Sequence, residues 1–79
     1  MYRYRTRTER QYWGPNGVSK AVIIKNLDRC IATTYFWDEN TENWFMTNQF
    51  DNEEDAITDA LLAAGLNPEE ELARYRRNP

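Results

Sequence analysis

The feature that most constrains this chain is a change of hydrophobic period near residue 50. Upstream, side chains alternate with the period of two expected of strands. Downstream, apolar residues recur with the period of a helix. Strands first and helices afterwards exclude the alternating strand–helix pattern of a parallel sheet and point to a segregated α+β fold. Residues 2–13 set Tyr2, Tyr4, Thr6 and Thr8 on one face and Arg3, Arg5 and Arg7 on the other. This is the pattern of a half-buried strand. "WGPNG" (13–17) breaks it as a turn, and "VSKAVIIK" (18–25) resumes it. "NLD" (26–28) is a tight turn, "RCIATTYFW" (29–37) a third strand, "DENTEN" (38–43) a hairpin loop and "WFMTNQF" (44–50) a fourth strand. Short connections between successive strands favour an antiparallel meander.

In the last third, Ala56, Ile57, Ala60, Leu61 and Ala64 form one helical stripe. Asp51 or Asn52 suits the N-cap, and with Asp51 capping, Glu54 stands in capping-box position. Gly65 stops the helix in the left-handed conformation, and Leu66 can fold back on the last turn. Asn67-Pro68-Glu69-Glu70 opens a second helix, in which Glu70 faces Arg74 and Arg76 and Arg77 close the C-terminal end. The expectation is a single domain over residues 1–79. It comprises a four-stranded antiparallel sheet followed by two C-terminal helices, the longer packed on one sheet face.

A 79-residue core gives only a few kcal/mol of net stability, so its supports matter. Cys30 is the single cysteine, which excludes an internal disulfide and suggests a reducing compartment. With no His, a tetrahedral zinc site has no donor set, and no cofactor is expected. No apolar run is long enough for a bilayer span, so the expectation is a cytoplasmic protein. Support falls to aromatic bulk: three Trp, five Tyr and three Phe. The expected core is Val22, Ile24, Cys30, Ala32, Phe36, Trp44, Met46, Ile57, Ala60 and Leu61. Strands three and four are apolar on both faces, so the buried face is left open and Tyr35, Trp37 or Phe45 is expected on a helix-free face.

Charge divides the chain. Residues 1–37 carry seven basic groups against two acids, a net +5, and residues 38–79 carry three against eleven, a net −8. The acids gather in two places: Asp38, Glu39 and Glu42 in one loop, and Asp51, Glu53, Glu54, Asp55 and Asp59 around the start of the long helix. Asp55 and Asp59 are expected to face solvent. Acids in a first turn answer the helix dipole, and the same carboxylates can meet Arg and Lys of a partner. Arg3, Arg5, Arg7 and Arg10 suit phosphate contacts, yet Arg on an edge strand also guards against pairing with other chains. A sequence pI near 4.9 weighs against bare nucleic acid as ligand. Without His, paired carboxylates or a glycine-rich phosphate loop, no enzymatic activity is expected, and Cys30 reads as an inert buried thiol.

The whole chain, with its short sheet joined through "FDNEEDAI" to a helix and its tail "ARYRRNP", resembles the small anti-CRISPR proteins of phages and mobile elements. The likeness lies in size, acidity and architecture. It implies a non-enzymatic inhibitor in the host bacterial cytoplasm that binds a CRISPR effector subunit and blocks engagement or cleavage of DNA. The partner-facing candidates are Asp38, Glu39, Glu42, Asp51, Glu53, Glu54, Asp55, Asp59, Tyr35 and Trp37. The alternative is a nucleic-acid-binding or regulatory module using Arg3, Arg5, Arg7 and Arg10. A homodimer through the sheet edge is left open.

Overall fold

The computed structural model describes residues 5–27 and 29–77. Four strands, β1 (Arg5–Gly14), β2 (Gly17–Asn26), β3 (Cys30–Asp38) and β4 (Asn43–Phe50), precede helices α1 (Glu53–Ala64) and α2 (Pro68–Arg77). The sheet is an antiparallel meander in the order β1-β2-β3-β4. The predicted α+β architecture is the observed one, with strand ends moved by one residue at most among the described positions.

Each connection has a local cause. Gly14 pairs with Gly17 across the two-residue turn Pro15-Asn16, and Gly17 takes φ of 126°, a region open to glycine. Between β2 and β3, the Asn26 N–H donates to the Arg29 carbonyl at 3.1 Å, and the Arg29 N–H donates to Asn26 Oδ1 at 2.9 Å. In the β3–β4 loop the Asn40 N–H donates to Asp38 Oδ1 at 2.9 Å, and Glu42 turns the chain with φ of 54°. Asn52, not Asp51, caps α1, its Oδ1 accepting the Asp55 N–H at 2.9 Å. The cap thus sits one residue later than the Asp51–Glu54 box requires. Gly65 adopts φ of 86°, with its N–H donating to the Leu62 carbonyl and the Leu66 N–H to the Leu61 carbonyl, which is a Schellman ending. On α2, Arg74 pairs with Glu71 one turn earlier and not with Glu70.

The strand register decides which residues meet α1. Pairings Tyr12↔Ser19, Arg10↔Ala21, Ala21↔Thr34 and Ile23↔Ala32 place these side chains on one face. Ala56, Ile57, Ala60, Leu61 and Ala64 of α1 are buried against it, as their stripe predicts. The contact is close because small groups meet: Ala21, Ala32 and Ser19 below, and Ala56, Ala60 and Ala64 above. The Ser19 hydroxyl donates to the Ala60 carbonyl. Tyr12, Cys30, Phe50, Leu66, Leu72 and Tyr75 close the margins of this core.

Several expected core residues lie elsewhere. Ala32, Ile57, Ala60 and Leu61 are fully buried as expected, while Cys30 and Phe36 are only half-buried on the helix side. Val22 is buried as expected, though on the face away from α1; Ile24 and Trp44, half-buried, and Met46, 59% exposed, share that face. The cause is parity: α1 packs on the side with the small groups, so residues of the opposite side are covered only by neighbouring side chains of the sheet.

Candidate functional site

The acids at the start of α1 are engaged within the fold. The Glu53 carboxylate receives Lys25 Nζ at 3.0 Å on one oxygen and the Tyr75 hydroxyl on the other. Glu54 Oε1 accepts from Arg76 Nη2 at 2.6 Å and Nε at 3.1 Å. Asp55 Oδ2 accepts from Asn52 Nδ2 at 2.9 Å. Asp59 is half-buried, against the expectation that it faces solvent. Its Oδ2 accepts from Thr34 Oγ1 at 2.7 Å and from Asn48 Nδ2 at 3.3 Å. The reason is register: Asn48 pairs with Thr34 on the helix side, and the bulge between Thr34 and Tyr35 brings Thr47 onto Thr34 as well. Glu53, Glu54 and Asp59 fasten α1 to β2, β3, β4 and α2. Asp51 is exposed ahead of the cap.

The second acidic group sits at the other end of the sheet. Asp38, Glu39 and Glu42 belong to the β3–β4 hairpin, beside the β1–β2 turn, whereas α1 begins past the opposite end of β4. Among the described residues no cation pairs with any of the three.

Among the described residues no helix covers the other sheet face. Alternation and register place there Arg5, Arg7, Glu9, Gln11 and Trp13 of β1, and Val18, Lys20, Val22 and Ile24 of β2. Ile31, Thr33, Tyr35 and Trp37 of β3 and Trp44, Met46 and Gln49 of β4 complete it. Val22 and Val18, 4% and 7% exposed, are hidden by neighbouring side chains of the sheet itself. Lys20 lies flat across the face, its Nζ 4.3 Å from the Trp44 ring centroid and 5.4 Å from that of Tyr35. It also stands 3.6 Å from Glu9 Oε2, and Trp37 meets Trp44 edge-on at 5.3 Å. The result is an aromatic platform built around Lys20, with charged β1 side chains along one margin. Of its large apolar side chains, Trp13 and Met46 are exposed and Tyr35, Trp37 and Trp44 are half-buried.

Tyr35 and Trp37 lie on this platform, as expected of two of the three aromatics named. Phe45 does not. It pairs with Phe36 on the helix side, beyond the reach of α1, and is 50% exposed. At the hairpin end the platform meets a cleft of about 850 Å³, lined among others by Trp13, Val18, Trp37, Asp38, Glu39 and Phe45. Trp13 is 75% exposed, the most exposed of the large apolar side chains.

The arginine row is divided. Arg3 lies outside the described residues. Arg5 and Arg7 face away from the helices, with Arg7 Nη2 2.7 Å from Glu9 Oε1. Arg10 is on the opposite face, its guanidinium 5.1 Å from the centroid of Tyr75, so it ties β1 to α2. The expected row of four phosphate contacts is not one surface.

Among the described residues two groups titrate away from their ordinary values. Burial raises the Tyr12 hydroxyl, with Glu71 adding to the rise and Arg10 opposing it. Burial likewise raises the Cys30 thiol, helped by Glu53 and opposed by Lys25. Cys30 therefore stays a protonated, weakly nucleophilic thiol at neutral pH. Among the described residues no group of three or more Cys, Asp or Glu side chains is placed to hold a metal ion. Among the described residues no helix is long and apolar enough to cross a membrane.

No protein-family model matches the chain, and neither a curated protein nor a solved structure matches it. The site thus rests on geometry. Sequence reasoning missed Trp13, Lys20 and Trp44 as surface residues. The signal was present in residue size. Ser19, Ala21 and Ala32 share one face and are small enough for a helix to approach, which assigns the opposite parity to the free side.

Proposed function

We propose that the protein is a non-enzymatic inhibitor that docks on a bacterial CRISPR effector subunit and blocks its engagement or cleavage of DNA. The helix-free platform and the acidic β3–β4 hairpin serve as its contact surface. One observation carries this reading: Asp38, Glu39 and Glu42, which pair with no cation among the described residues, belong to the hairpin whose Trp37 and Trp44 lie on the aromatic face. Aromatic rings beside free carboxylates suit a partner surface rich in Arg and Lys, the kind that otherwise binds phosphates. The resemblance of the whole chain to anti-CRISPR proteins supplies the identity of that partner and the cytoplasm of the host cell as the place of action. Glu53, Glu54 and Asp59, held by Lys25, Arg76 and Thr34, belong to the fold and not to this surface.

The test is capture of purified effector complexes on the immobilised protein. The wild-type chain should retain one effector type and inhibit its cleavage of DNA. Reversal of the hairpin by Asp38→Lys, Glu39→Lys and Glu42→Lys should abolish retention, while Asp55→Lys should leave it unchanged. Retention by the triple variant at wild-type affinity would remove the hairpin from the mechanism.

The nucleic-acid reading has one observation in its favour. Arg5 and Arg7 share the platform side with Tyr35, Trp37 and Trp44. Binding of single-stranded DNA through these two arginines would give a log–log salt slope near −1.4. The expected result at ~150 mM salt is no binding, because the acidic half of so small a domain repels the same phosphates.

A further inference from the structure

We infer that the cleft at the hairpin end is a receptor for an arginine side chain presented by the protein partner. The inference rests on the docking function proposed above and specifies the partner's group. The cleft lies at the end of the sheet between the two turns: Trp13, Val18 and Trp37 border it from the platform side, Phe45 and Asp38 from the helix side, and Glu39 from the loop. A guanidinium is planar, weakly hydrated and always charged, so it stacks on rings while its fork of N–H groups binds carboxylate oxygens. The fold already uses this chemistry elsewhere: Arg10 lies over Tyr75 and Lys20 over Trp44. No Arg or Lys among the described residues stands over Trp13, Trp37 or Phe45.

The alternatives fit less well. An anion would be repelled by Asp38 and Glu39. A wholly apolar ligand would strip water from these carboxylates and return no hydrogen bond. Lysine offers a compact, strongly hydrated charge that cannot stack as a plane. Asp38 gives one oxygen to the Asn40 N–H at 2.9 Å, which fixes its carboxylate at the cleft and leaves its second oxygen for a ligand.

The experiment titrates the full-length chain with the blocked peptide acetyl-Gly-Arg-Gly-amide at low salt, following the tryptophan indole N–H resonances. The citrulline peptide, equal in shape and uncharged, and the lysine peptide are the controls. Saturable shifts at Trp13 and Trp37 are expected, with the arginine peptide bound about tenfold more tightly than citrulline. Trp13→Ala, Glu39→Gln and Asp38→Asn should each weaken the response at least about threefold. Asp38→Asn keeps the oxygen that holds Asn40, so its effect reports charge and not loop unfolding. Equal response to citrulline, or a wild-type response in Trp13→Ala, would overturn the inference. An effector captured equally well by Trp13→Ala sinks the arginine receptor and leaves the docking function standing. Specific arginine binding without capture of any effector does the reverse.

Discussion

Replacing Gly14 by Ala tests how tightly the end of α1 is clamped to the sheet. A Cβ at position 14 would lie 2.2 Å from the Ala64 carbonyl oxygen, 2.9 Å from its carbon and 3.0 Å from Leu66 Cγ. The carbonyl is backbone at the last turn of α1 and cannot rotate away, so helix and strand must part by roughly 1 Å to restore ordinary contact. That oxygen also accepts the Asn16 N–H at 3.0 Å, and a shift of this size breaks the bond. Overpacking costs about 1–3 kcal/mol and the lost hydrogen bond about 0.5–1.5 kcal/mol. Together they give about 1.5–4.5 kcal/mol, a large share of the stability of a domain this small. Chemical denaturation followed by tryptophan fluorescence measures the loss, and thermal melts should fall by roughly 10–25 °C. A loss below about 0.5 kcal/mol would refute the close approach of β1 and α1 on which the position of the hairpin end depends.

Three further outcomes follow from the same packing. Leu61→Ala, at a fully buried position between sheet and helix, should cost about 2–5 kcal/mol in denaturant unfolding. Asp59→Ala should cost about 1–2 kcal/mol by removing the acceptor of Thr34 and Asn48, and amide exchange should quicken in β4 more than in β1. Tyr12 has a raised pKa in the folded state, so its contribution is complete below pH 10.0 and is lost as pH rises through the folded value. Alkaline titration of stability should therefore slope downward above about pH 10, by at most ~1.4 kcal/mol per pH unit for this group, and Tyr12→Phe should remove that part of the slope.

The elements were legible before any tertiary contact was known, because their signals are local. A period of two with Tyr, Thr, Val and Ile marks the strands, and Gly14 and Gly17 bracket the first turn. The five-residue stripe and Gly65 delimit α1, since capping and left-handed termination depend on residues a few positions apart. Long-range choices were not written in this way. β2 and β3 present apolar groups on both faces, so hydrophobicity does not choose between them. Close packing does: α1 settles over Ser19, Ala21 and Ala32, and Val18, Val22, Ile24, Trp37 and Trp44 are left on the open side. Charge followed the same rule. Composition gathers the acids near α1 and in the β3–β4 hairpin, and only the fold supplies Lys25, Arg76, Tyr75 and Thr34 to the first group. An ion pair between residues 22 or 28 positions apart requires helices and strands already docked, which no local pattern encodes. Sequence thus determined what each segment is. Packing of small against small determined which surface the protein keeps free.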